Sequence, residues 1–207
     1  FKHIMSSTKK PCLVLQFDSH GADAGYMTRV EAAVESFRAW KPHAPVSSRP
    51  HASSEGGRER TILFPPMDPI TVHLFESCFQ GDGYRTAILE ENPVTLDMGY
   101  KHCQGGECVP CPSTLGSVIH YMETTGADPR DVAFFMPTAS GPCRFGQYRR
   151  LSEIVFDRKG WQDLLVLSPS GVNAYQGLSG ALRRQLWDAV VIGDLLQKIV
   201  FRRRPYE

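Results

Sequence analysis

The side chains with the clearest capacity for chemistry are cysteines, of which the chain has six. Cys103, Cys108 and Cys111 fall within nine positions, and Cys143 follows later in a turn of glycine and proline. In a reducing compartment, clustered thiols more often bind metal or take part in redox chemistry than form disulfides. The spacing therefore predicts a metal or iron–sulfur site, with inert thiols as the alternative.

The residues around these thiols favour an anionic cofactor. The runs CVPC, at 108–111, and GPC, at 141–143, each precede a helical pattern. A helix N-terminus offers N–H groups and a positive dipole end, which lower a thiol's pKa and stabilise an anion such as an iron–sulfur cluster. The spacing Cys103-x4-Cys108-x2-Cys111 is also similar to the plant-type ferredoxin run. A zinc site formed by the cysteines together with His102 is a second interpretation of the same residues.

The other two cysteines have simpler expected roles. Cys78 shares a helical face with Phe75 and Phe79, and Cys12 lies in an apolar run. Cysteine in such positions behaves as a small core hydrophobe. We therefore expect both to contribute to packing and neither to bind a metal.

Short apolar runs alternate with helical patterns, which predicts an α/β fold: a Rossmann-like, mainly parallel sheet with helices on both faces. Strands are predicted at residues 12–17, 61–64, 84–89, 132–136 and 163–167, and helices at 30–37, 70–79, 115–122, 145–157 and 182–196. In open α/β sheets, ligands bind beyond the carboxyl ends of the strands. Turns predicted at 90–112 and 137–143 follow such ends, so Cys108, Cys111 and Cys143 are expected at one edge of the sheet.

The same patterns divide the chain into three parts. Residues 1–40 form a first strand–helix unit, and residues 61–207 form the Rossmann-like domain that carries the cysteine cluster. Residues 41–60 between them are rich in proline, serine and glycine, which predicts a flexible linker. Because the chain begins with Phe1 rather than Met, we expect it to be a piece of a longer protein.

Composition narrows the set of partners and locations. A formal net charge of +1 argues against a nucleic-acid binder, which usually carries a basic excess. No segment approaches the ~20 consecutive apolar residues that span a bilayer, and no leader for secretion is recognisable. We therefore expect a cytoplasmic protein with neither nucleic acid nor membrane as a partner.

Four stretches of the sequence resemble a known family: LVLQFDSHGADAGYMTRVE at 13–31, GECVPCPSTLG at 106–116, FFMPTASGPCRFGQY at 134–148 and RPYE at 204–207. They resemble the large acyl-CoA dehydratase activase-related proteins, also called CoA-substrate-specific enzyme activases. More distantly, they resemble subunits of 2-hydroxyacyl-CoA dehydratase and benzoyl-CoA reductase. The similarity covers almost the whole chain except the linker, and by this resemblance the chain is an interior segment of a longer polypeptide.

The resemblance implies a 4Fe–4S or double-cubane iron–sulfur cluster that accepts low-potential electrons from an ATP-driven activase. The surrounding system would be an ATP-dependent reductase or dehydratase that acts on an acyl-CoA or another small substrate. Cys108 matches the cysteine of the family's GxEC element, Cys143 matches that of GPCRFGQY, and Cys111 or Cys103 completes a third position. A fourth ligand comes from the remainder of the protein or a partner subunit, or the position is open. The expected metal ligands are thus Cys103, Cys108, Cys111 and Cys143, and the expected cofactor-binding residues are Gly141, Gln147 and Tyr148.

A second hypothesis needs no redox chemistry. The chain could be a non-catalytic α/β structural or interaction domain whose cysteines bind zinc or stay free thiols, with self-association as a dimer left open in either case. Asp18, His20 and Asp23 either line the cofactor crevice or cap the first helix. No catalytic residue and no nucleotide-binding signature can be assigned, so this segment alone is not expected to be an active enzyme.

Overall fold

The computed structural model describes residues 23–38, 58–103, 106–139 and 143–204, and the chain divides into two units, Phe1–Arg49 and Pro50–Glu207. In the first unit, helix α1 (Asp23–Arg38) includes the helical pattern predicted at 30–37 and buries Ala33. Asp23 is its first residue. The strand predicted at 12–17, which contains Cys12, lies outside the described residues, as do Asp18 and His20.

Within the described part of the second unit, four parallel strands form one sheet in the order β2–β1–β3–β4. They are β1 (Thr61–Phe64), β2 (Arg85–Ile88), β3 (Val132–Phe135) and β4 (Leu165–Leu167). Thr61 at the start of β1 lies opposite Arg85 of β2 and Val132 of β3. Each strand falls inside a run predicted from the sequence, and the Rossmann-like α/β fold is confirmed.

Helices connect these strands: α2 (Pro69–Gly81), α3 (Pro93–Tyr100), α4 (Pro110–Thr125), α5 (Tyr148–Arg158) and α6 (Gly180–Arg203). Short 3-10 turns lie at Pro129–Asp131, Arg144–Gln147 and Gly171–Gly177. Proline opens α2, α3 and α4, where its missing N–H is no loss. Within the described ranges, no helix combines the length and the apolar character needed to cross a membrane.

Helices cover both faces of the sheet because the strand side chains alternate. Leu63 and Phe134 point to the face that α4 and α5 cover, whereas Phe64 and Phe135 point to the face that α2 and α6 cover. On this second face the ring of Phe64 lies 5.0 Å from that of Phe135 and 5.3 Å from that of Phe79 in α2. The result is a three-layer α/β/α arrangement with an apolar core on each side of the sheet.

The region predicted as one long turn at 90–112 contains a helix, α3, and that prediction is wrong over residues 93–100. The Asn92 side chain accepts hydrogen bonds from the N–H groups of Val94 and Thr95, and the Thr95 hydroxyl accepts one from the Asn92 N–H. This reciprocal cap, followed by Pro93, sets the start of the helix. A smaller difference lies at 145–147, where the predicted helix begins as a 3-10 turn before α5.

The amino-terminal edge of the sheet is tied together by Arg60. Its guanidinium donates hydrogen bonds to the carbonyl oxygens of Pro129, Val132 and Asp163, at 3.4, 3.3 and 2.6 Å. These carbonyls lie at or just before the starts of β3 and β4, while Arg60 directly precedes β1. Residues 58–60, the end of the predicted linker, therefore contact the folded unit, and residues 41–57 lie outside the described residues.

Candidate functional site

The order of the strands identifies the edge at which a ligand is expected. From β1 the chain crosses to β2 on one side, and β3 then pairs with β1 on the other side. The connections after β1 and β3 therefore diverge, which opens a crevice at the carboxyl ends of these strands. The segments after β2 and β3 carry Cys103, Cys108 and Cys143 toward this edge, and Cys111 lies in the first turn of α4.

Two glycines position the segment that carries Cys103 and Cys108. Gly99 of α3 lies against the backbone of Pro112 in α4, and Gly116 of α4 lies against the carbonyl oxygen of Thr95 in α3. A side chain at either position would collide with backbone, so the two helices approach as closely as their main chains allow. The connection at 101–109 is consequently anchored at both ends by one tight helix pair.

Cys103 and Cys111 contact each other directly. The Cys111 thiol donates a hydrogen bond to the sulfur of Cys103. Burial raises the pKa of the Cys111 thiol to about 12, and negative charge at Cys103 and Glu107 acts in the same direction. Burial and then the charge of Glu107 also raise the pKa of Cys103. Both side chains are therefore neutral thiols near pH 7.

Cys108 and Cys143 both act on the same tyrosine. The Tyr148 hydroxyl, at the start of α5, forms a hydrogen bond with the sulfur of Cys108. Burial raises the pKa of Tyr148 to about 12, followed by this hydrogen bond and by negative charge at Cys108, Cys111 and Cys143. Tyr148 is therefore near enough to all three thiols for their charge to act on its hydroxyl. Tyr148 itself is buried, whereas Cys108 and Cys143 are exposed.

The side chain of Arg144 also connects the two cysteine-bearing segments. The guanidinium of Arg144, next to Cys143, donates a hydrogen bond to the carbonyl oxygen of Gly106. A Cβ built on Gly146 would lie 2.5 Å from the carbonyl oxygen of Ala139, so Ala139 lies tightly against the 3-10 turn. Arg144 thus holds the Cys143 turn against the segment that carries Cys108.

The expectation that a helix N-terminus would lower a thiol's pKa is wrong for Cys111. Pro110 and Pro112 have no N–H, and the N–H of Cys111 donates to the carbonyl oxygen of Cys108 at 2.8 Å. These three positions in the first turn of α4 thus offer no unengaged donor to a ligand. Desolvation of the buried thiol then outweighs the helix dipole and raises its pKa.

The remaining predicted residues are more scattered. Gln147 is exposed, and among the described residues its side chain makes no recorded contact with a cysteine; Gly141 lies outside the described residues. Burial and the nearby Lys159 lower the pKa of His102, and none of the charges acting on it comes from a cysteine. Cys78 packs against the core on the opposite face of the sheet, as its predicted role in packing requires.

Glu107 and Arg144 are neighbours of the thiols that sequence reasoning did not single out. Glu107 acts on both Cys103 and Cys111 through its charge, and Arg144 bridges two segments. Each is adjacent in sequence to a predicted ligand, Cys108 or Cys143. The sequence shows this adjacency, but it does not show which residues next to a cysteine interact with the thiols.

The chemical type of the candidate ligands fits an iron–sulfur cluster, because all four are cysteine thiols. The spacing is looser than ligation requires: among the described residues, no three His, Cys, Asp or Glu side chains are grouped so that they could hold one metal ion. Cluster binding therefore requires the cysteine-bearing segments to draw closer, as happens at sites that form together with their metal.

Comparisons with known proteins do not identify a relative of this chain, so a function has to be argued from its sequence and structure. No protein-family model matches the chain, and neither a curated protein nor a solved structure is significantly similar to it. The fold and site define an α/β protein with a thiol-rich carboxyl edge.

Proposed function

We propose that this chain is the iron–sulfur redox module of a larger cytoplasmic system related to 2-hydroxyacyl-CoA dehydratases. In this role it accepts low-potential electrons from an ATP-dependent activase and serves chemistry on an acyl-CoA or another small substrate. The observation that carries the proposal is the gathering of thiols near buried Tyr148, whose hydroxyl is hydrogen-bonded to Cys108 and whose pKa also responds to charge at Cys111 and Cys143. Cys143 comes from a different segment of the chain than Cys108 and Cys111, so local sequence alone does not explain why all three act on one tyrosine.

The proposed ligands are Cys108 and Cys143, with Cys111 or Cys103 at a third position. When bound, a cluster supplies one-electron transfer. Cys111 must lose its proton before it can ligate, and its raised pKa makes this deprotonation costly near pH 7. Tyr148 donates a hydrogen bond to the sulfur of Cys108, and hydrogen bonds to ligating sulfurs raise the reduction potential of such centres.

Within the alternative of a non-catalytic domain whose cysteines bind zinc or stay free, the structure offers support for free thiols. The Cys111 thiol is satisfied by its hydrogen bond to Cys103, and the described residues contain no ready group of three ligands. Under this alternative the thiols need no cofactor to be stable, and the gathering at Tyr148 reflects packing alone.

Anaerobic purification of the full chain, followed by reconstitution with iron and sulfide, tests the proposal. We expect a brown protein with a broad absorption shoulder and several iron atoms per chain. Cys108→Ala and Cys143→Ala should each lose most of this iron, while the matched control Cys78→Ala retains it, because Cys78 lies on the other face of the sheet.

Two results would overturn the proposal. One is wild-type iron content in both the Cys108→Ala and the Cys143→Ala variants. The other is a colourless, folded protein that takes up one zinc ion per chain but no iron. Tyr148→Phe adds a separate readout, since the loss of its hydrogen bond should lower the reduction potential of the centre while iron content stays unchanged.

A further inference from the structure

Helix α6 has a long apolar surface that the rest of the described structure does not cover. Leu182, Ala189 and Gly193 are buried against the sheet and α2, and a Cβ on Gly193 would lie 2.6 Å from the Thr71 hydroxyl. Outside this contact, Val191, Ile192, Leu195 and Ile199 are 44%, 47%, 53% and 56% exposed. Trp187, at 69% exposed, flanks them. We name these four aliphatic residues the α6 stripe.

The α6 stripe has a charge at each end. Asp188 is seven residues before Leu195, and Arg202 is seven residues after it. Seven residues correspond to about two helical turns, so all three side chains share one face. Asp194 and Lys198 pair within the helix at 2.6 Å, whereas no ion pair to Asp188 or Arg202 is found among the described residues.

We propose that a second copy of this chain covers the α6 stripe, in an antiparallel helix pair with its two-fold axis at Leu195. Two-fold symmetry requires one surface to complement itself. Reversing the helix about Leu195 places Asp188 of one copy opposite Arg202 of the other, so two ion pairs form at the ends of an apolar centre. A parallel arrangement would instead set like charges against each other.

A groove beside the α6 stripe can also receive side chains from helix α6 of the second copy. It runs between α2 and α6, has a volume of about 390 Å³, and is lined by residues that include Leu74, Ala189 and Ile192. In the antiparallel pair, Ile199 of the second copy lies opposite Val191 and beside Ile192, where its side chain can enter the groove. The exposed patch is on the order of several hundred Å², which corresponds to a weak, transient interface rather than a stable one. The dimer is therefore expected to dissociate on dilution.

Sedimentation velocity over a wide range of concentration tests the proposal with the full, cysteine-reduced chain. We expect a concentration-dependent monomer–dimer equilibrium. Leu195→Glu should abolish it with the circular dichroism spectrum unchanged, because Leu195 is exposed in the monomer. The matched control is Val94→Glu, at a residue that is 59% exposed on α3, away from the stripe; it should leave the equilibrium intact.

Charge exchange tests the antiparallel arrangement. At low salt, Asp188→Arg and Arg202→Asp should each weaken dimerisation about tenfold or more, since like charges then face each other. The double variant should restore the wild-type dissociation constant.

A wild-type chain that remains monomeric at every concentration would overturn the proposal, as would a dimer that Leu195→Glu leaves intact. A dimer in which the double variant is no tighter than the single ones would refute the antiparallel pairing, and binding to lipid vesicles in place of self-association would make the stripe a membrane surface.

Discussion

Substitution of Gly116 by alanine tests whether the tight α3–α4 pair holds the cysteine-bearing segment. A Cβ at this position meets the carbonyl of Thr95 and would lie 2.6 Å from the N of Gly99, and both are backbone atoms that no change of rotamer can move away. Overpacking costs about 1–3 kcal/mol, and alanine returns about 1 kcal/mol of helix propensity. Because rigid backbone favours the upper part of the first range, we expect a net loss of about 2 kcal/mol.

The free energy of unfolding, measured in urea by circular dichroism, gives the comparison. Gly81→Ala is the matched control, since no atom lies within 4 Å of a Cβ at that position, and it should change stability by less than about 0.5 kcal/mol. Reconstituted Gly116→Ala should also hold less iron than Gly81→Ala, because α3 must shift and Cys103 with it. Equal stability and equal iron in the two variants would show that the helices do not pack as closely as described.

Three further predictions address the core and the thiols. Cys78→Ala should lower the free energy of unfolding by about 1 kcal/mol, because it removes a partly buried side chain from the core; the same urea titration measures it. Glu153→Gln should cost about 2 kcal/mol, because buried Glu153 pairs with Arg149 at 2.8 Å and with Arg150 at 3.1 Å; a loss no larger than that of Arg150→Gln would argue against the pairing with Arg149. In the metal-free protein, burial raises the pKa of Cys111 from 9.0 to about 12, so the folded state keeps a proton that the unfolded chain loses. Stability should therefore fall as the pH rises above about 9, and more steeply in wild type than in Cys111→Ala.

The sheet could be predicted from sequence because its strands are nearly continuous apolar runs. Thr61–Phe64 is covered by helices on both faces, so every position after the first is buried and the pattern is unambiguous. Helix α3 was missed because its eight residues carry no clear apolar stripe and include Gly99. The available signal was local: asparagine followed by proline, with threonine three residues after the asparagine, is a helix start.

At the candidate site, sequence could indicate which edge the cysteines share but not how they interact. The sheet rule predicted that Cys108 and Cys143 lie at one edge, and both now lie near Tyr148. The pairing of Cys111 with Cys103 depends on the path of the segment after α3, which no local pattern specifies. The error about helix N–H groups was avoidable, since the two prolines around Cys111 are visible in the sequence and neither has an N–H to offer.

The three carbonyl oxygens bound by Arg60 determine where a truncated version of this protein should begin. A truncated protein that starts at Thr61, the first residue of β1, retains the four described strands yet leaves those acceptors without their cation. Starting at Arg58 keeps Arg60 and also the ion pair of Arg58 with Asp82 at 3.2 Å. The contacts that close the amino-terminal edge of this sheet therefore begin with two arginine side chains that precede β1, rather than with the strand itself.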